Sequence, residues 1–171
     1  MKTAGVILAV AAALALQTTL AWYATRGAVA VDLVLVAVVY VALTSGPTAG
    51  LLAGTLGGLA QDALVSGGIT GIGGLAKTLV GFLTGVVGTQ FIVAQSVPRF
   101  VVFFLATVVH QAVFMGLYVL LDLRKFGTPY AAVAEQALAN AVIGVVVFQV
   151  VELLPGAVER RRAMRRRPRR G

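Results

Sequence analysis

The chain has 171 residues, 59% hydrophobic and 12% charged, with a mean hydropathy of +0.95. That balance excludes a soluble globular domain and predicts an all-α, polytopic membrane protein built as one compact helical bundle. The formal net charge of +8 belongs to a tail, because eight of the fourteen basic residues are arginines after Glu159, and the absence of cysteine excludes disulfides, thiolate metal sites, a cysteine nucleophile and lipid-modified cysteine.

The first apolar run, from about Ala4 to Leu20 and closed by Trp22-Tyr23, is long enough to cross a bilayer and ends on residues that suit its interface. A signal peptide is the alternative reading of the same stretch. Gln17, Thr18 and Thr19 are polar but neutral and should hydrogen-bond within the bundle.

Asp32 opens the second run, which reaches Leu43, is short for a span and stops at Ser45-Gly46-Pro47. An acid there completes the unpaired amides of a helix start and suits the positive end of its dipole, so capping is the plainer role and ligand binding the sharper one. The third run carries Gly46, Gly50, Gly54 and Gly58, a four-residue ladder that lets a second helix come close, and ends near Val65 after Gln61-Asp62. Gly67 to Gly74 follows as a turn.

The fourth run, about Gly74 to Val93, repeats the ladder at Gly81, Gly85 and Thr89 and holds Lys77 near its start. Two glycine-faced helices on a short loop predict a tightly packed hairpin. A phosphate cradle at Gly67 to Gly74 is disfavoured, since no Gly-Lys-Ser/Thr follows and no strand precedes. Asp62 and Lys77 flank one turn, which predicts an ion pair beneath it, because a lone charge in the bilayer centre costs about 2.5 to 3.5 kcal/mol.

Pro98 fits the first turn of a fifth helix running to Leu121, with His110-Gln111 at its middle. One histidine without a second ligand is a poor metal site, and a hydrogen-bonded histidine in the bundle interior is the expectation. The polar loop Asp122 to Tyr130 leads to a sixth run, Ala131 to Leu154, in which Gln136 and Asn140 share an inward face while Glu135 and Glu152 reach the solvated ends. Pro155-Gly156 should end that helix.

The predicted domains are therefore a transmembrane bundle over 1–156 and a basic cytoplasmic tail over 157–171. The tail should fix orientation by the positive-inside rule and touch anionic lipid. It has no aromatic residue to stack on bases, so nucleic acid is not an expected partner. Six spans with a cytoplasmic C-terminus put the N-terminus inside as well, with Lys2 and Arg99 inside and Arg26, Arg124 and Lys125 outside. Five spans, with the second run re-entrant, is the structural alternative.

No paired acids, zinc-protease motif or Gly-x-Ser-x-Gly occurs, so neither an enzyme nor a cofactor or metal site is expected. No internal repeat suggests a transporter of the inverted-repeat kind.

The pattern Val31-Asp32-Leu33 to Tyr40, then Ser45-Gly46-Pro47, the ladder into Gly57-Gly58-Leu59-Ala60-Gln61-Asp62, and Gly71 to Gly74 with Leu75-Ala76-Lys77 resembles the bacterial rod shape-determining protein MreD family over nearly the whole chain. Val31 stands where members of that family often carry proline. The resemblance implies a multi-pass inner-membrane component of the machinery that builds lateral cell wall and determines rod shape. It also implies association with an MreC-like single-pass protein, with MreB, RodA and a transpeptidase beyond it, and allows a homodimer. The family is similar in fold to the substrate-binding subunits of energy-coupling-factor transporters, which supplies the rival function of a vitamin-type binding subunit. A scaffold needs an exposed small-residue or apolar face, whereas a vitamin binder needs a closed pocket with several polar groups. The sequence is rich in the first and poor in the second.

Overall fold

The computed structural model describes the backbone of residues 3–23, 31–64, 71–90, 95–123 and 130–166, and the side chains of 5–19, 31–64, 71–90, 95–123 and 130–153. The Trp22-Tyr23 side chains, Arg26, Gly67 to Thr70, Arg124, Lys125 and the tail arginine side chains, on which several expectations rest, lie outside those residues. The described chain is six α-helices: α1 Thr3–Tyr23, α2 Leu33–Ser45, α3 Pro47–Leu64, α4 Ile72–Gln90, α5 Ser96–Leu120 and α6 Tyr130–Arg166.

By length and apolar composition α4, α5 and the Tyr130–Leu153 part of α6 can each cross a membrane. At 13 residues, α2 is about 20 Å long and too short to do so alone.

The α3–α4 hairpin is the tightest contact. A Cβ on Gly50 would strike the backbone of Gly81, one on Gly54 the backbone of Lys77 and Thr78, and one on Gly58 the backbone of Gly74. One on Gly85 would strike Pro47. These pairings advance by four residues on one helix as they retreat by about four on the other, the register of antiparallel neighbours. Gly50, Gly54, Gly58, Gly81 and Gly85 are therefore spent on the α3–α4 contact, the tightly packed hairpin that the spacing predicts. Gly46, at φ +88°, turns the chain from α2 directly into Pro47 at the start of α3.

Two apolar clusters flank this hairpin. Val6, Val10, Val34, Val38, Val41 and Ala53 join α1, α2 and α3. Leu35, Val39, Val80, Phe103, Ala141 and Phe148 join α2, α4, α5 and α6.

The last helix does not stop at Pro155. It continues to Arg166, because a proline removes one amide donor and Ala, Glu, Arg and Met beyond it all favour helix.

Candidate functional site: a polar crossing of four helices

Asp32 precedes an apolar run with no other hydrogen-bonding side chain before Tyr40, so it is the residue that can close the start of α2. Its Oδ1 accepts the Leu35 N–H at 2.9 Å, capping the helix. Its Oδ2 stands 2.7 Å from Lys77 Nζ on α4, and both side chains are almost wholly buried. The Asp32 backbone N–H donates to Asn140 Oδ1 on α6 at 3.0 Å, and Asn140 Nδ2 donates to Thr107 Oγ1 on α5 at 3.2 Å.

Lys77 Nζ also lies 3.3 Å from His110 Nε2. A protonated lysine can only donate, so this contact assigns Nε2 as the acceptor and puts the imidazole proton on Nδ1. His110 Nδ1 is buried and has no hydrogen-bond partner, and the ring stacks on Phe114 one turn later.

This crossing is deep. Asn140 is about ten residues, or ~15 Å, from the start of α6, and His110 is as far from the end of α5. That is half of a ~30 Å hydrocarbon core. The start of α2 is thus inside the bundle, and its helix covers only the half that ends at Ser45, Pro47, Gln90 and Ser96. A Val34 N–H left over at that start donates to Gln17 Oε1 of α1 at 3.1 Å.

Asp62 does not reach Lys77, and the expected Asp62–Lys77 pair is corrected. Its Oδ2 accepts the N–H groups of Gly71 at 2.9 Å and Gly74 at 3.0 Å, so it caps α4 from the end of α3. Lys77 lies one turn further along α4, on the buried stripe with Val80 and Thr84, and finds the other acid. Gln61, beside Asp62, carries a buried Oε1 without a hydrogen bond.

A second charged pair, which sequence reasoning missed, sits at the opposite end of the bundle. Buried Arg99 of α5 holds Glu152 of α6 through two parallel bonds of 3.0 and 2.5 Å, and its guanidinium lies 4.4 Å over the Phe148 ring. Glu152 reaches the exposed end of its helix as expected, with 56% of its side chain accessible, and is paired there as well. The sequence marks Arg99 as a charge in the first turn of its helix, just after Pro98, but not which acid it meets. Gln136, on the inward face of α6, bonds to Gln111.

Asp32 and His110 are the only metal-type ligands at the crossing, and among the described residues no three such side chains converge. The acid, amine and amide are spent on one another. What the arrangement does chemically is hold four helices in register around a neutralised charge.

Residues 2–156 match the family model of the rod shape-determining protein MreD. The chain belongs to the MreD family. It is a membrane protein with a role in rod shape determination, and its family is one of shape-determining structural proteins. No curated protein and no solved structure matches the chain.

Proposed function

We propose that the protein is an inner-membrane scaffold of the cell-wall elongation machinery, with both termini cytoplasmic, which binds an MreC-like single-pass partner and through it the peptidoglycan-synthesis enzymes. It performs no catalysis. The observation that carries this reading is the division of labour in the bundle: the polar crossing ties Asp32 to Lys77 and Asn140 to Thr107, while large apolar side chains such as Leu8, Leu52, Leu56, Leu105 and Val142 face outward. A vitamin-type binder would need polar groups left open to a pocket, whereas the α4–α5 groove and the groove between the start of α5 and α6 are lined almost wholly by apolar side chains.

The basic continuation of α6 and the arginines after it orient the molecule and contact anionic lipid, at about 1 kcal/mol per basic residue near the surface. The test is depletion in the native rod-shaped host followed by rescue with a copy tagged at its C-terminus. Depleted cells should round up, and the rescuing protein should co-purify from mild detergent with a single-pass protein and wall-synthesis enzymes. The tag should be reached by protease only after the inner membrane is opened. Rod shape without the protein, or purification of the rescuing copy alone, would reject the scaffold reading.

A further inference from the structure

α2 touches each of the other five helices, so it lies at the middle of the bundle. It begins at mid-depth, where Val31 and Asp32 are non-helical, and its buried flanks are Val34, Leu35, Val38, Val39 and Val41. The other half of the bundle, toward the start of α4 and the end of α5, is lined differently. Gln17 of α1, Gln61 of α3, Gln111 of α5 and Gln136 of α6 stand at the crossing or beyond it on that side. Non-helical backbone at membrane depth is tolerated only where protein buries it or where it meets water.

Two buried side-chain atoms among the described residues lack a hydrogen bond, and they are complementary. His110 Nδ1 is a donor, because the Lys77 ammonium 3.3 Å from Nε2 needs that nitrogen as its acceptor, and His110 is only 4% exposed. Gln61 Oε1 is an acceptor. Gly54 lies against Lys77 and Gly58 against Gly74, a register that puts Gln61 level with Gly71, about 9 Å along the axis from Lys77 on the side that α2 does not enter. That is the span of about three hydrogen-bonded waters. A buried donor and a buried acceptor are each costly when left unpaired.

We propose that the bundle binds water at mid-depth, in a short file that accepts a hydrogen bond from His110 Nδ1–H and, at its other end, donates to Gln61 Oε1. Each water then has polar partners on both sides, the condition for a buried one. Donation runs one way, from Lys77 to His110 to water to Gln61, so the file fixes the tautomer that lets His110 accept from Lys77. An acyl chain in the same space would satisfy neither atom.

His110 is the chain's one histidine, so nitrogen NMR of the isotope-labelled full chain in lipid bilayers reads its imidazole without ambiguity. The neutral ring should carry its proton on Nδ1, and that proton should exchange magnetisation with water. The amide protons of Val38 and Val80, in the half that α2 fills, should not. Gln61→Leu removes the far acceptor and should lower the transfer to His110 about threefold or more. A proton on Nε2 instead, no transfer from water in the parent, equal transfer to Val38 and Val80, or an undiminished transfer in Gln61→Leu would each overturn the proposal. If Gln61→Leu does not fold, the parent spectra decide alone.

Discussion

Asp32 and Asp62 are the same residue doing the same local job at two depths. Each accepts N–H groups at the start of a helix, Asp32 from Leu35 in α2 and Asp62 from Gly71 and Gly74 at α4. Asp62 stands half-buried near the end of a hairpin, and capping is enough for it. Asp32 is at mid-depth, 5% exposed, and takes in addition a lysine at 2.7 Å with a histidine behind it. The difference teaches that packing between helices, rather than proximity in sequence, decides which carboxylate claims the counter-charge: α2 brings Asp32 against the buried stripe of α4 that carries Lys77, whereas Asp62 is held by the first-turn amides of α4. The lysine is likewise buried, at 3% exposure, so removing either partner leaves the other buried without its counter-charge.

The largest expected effect tests that pairing directly. Lys77→Met leaves Asp32 buried and alone and should cost about 3–5 kcal/mol of stability in detergent, as should Asp32→Asn at the other partner. The double variant should recover a large part of either loss. A cycle built from thermal or denaturant unfolding of the four proteins would show coupling well above 0.5 kcal/mol, the scatter of independent sites. Strict additivity, or equally strong coupling of Lys77 to Asp62, would break the comparison.

The sequence carried the helices but not this pairing, for a physical reason. Apolar runs, the glycine ladders, Gly46-Pro47 and the acid at Asp32 mark where helices begin and which ones pack closely, since those signals are local. Asp62 and Lys77 flank one turn, so local reasoning joined them. Which acid faces the stripe of Lys77, Val80 and Thr84 depends instead on where α2 lies against α4, a fact about tertiary packing that no spacing encodes. The same limit hid Arg99 and Glu152, which are fifty-three residues apart. Pro155 misled in the other direction, because a strong local signal lost to the helix formers that follow it.

A smaller effect sharpens the geometry behind the pair. Gly54 has no room for a side chain against the backbone of Lys77 and Thr78, so Gly54→Ala must push α4 outward just where the lysine leaves it. The expected cost is about 1–3 kcal/mol from overpacking. Gly46→Ala is a different matter, since space is open there and only the positive φ resists, so it separates crowding from backbone strain. In the Lys77→Met, Asp32→Asn background Gly54→Ala should cost less than in the parent, because no ion pair remains to be stretched. An equal loss in both backgrounds would mean that the hairpin contact and the polar crossing are independent.

The smallest effect is also the sharpest, because it applies one substitution to both carboxylates. Asparagine caps a helix start about as well as aspartate, and the Gly71 and Gly74 amides need an acceptor oxygen rather than a charge. Asp62→Asn should therefore change stability by less than about 0.5 kcal/mol, while Asp62→Ala, which removes the acceptor, should cost about 1 kcal/mol. At Asp32 the order of severity is set by charge instead: asparagine keeps the acceptor for Leu35 but strands Lys77, so even this mild change should be severe. Denaturation of Asp62→Asn, Asp62→Ala and Asp32→Asn under one set of conditions decides it. Equal losses for the two asparagine variants would mean that the charge on Asp62 is also in use, which would direct the search to a cation brought by a partner at that end of the hairpin.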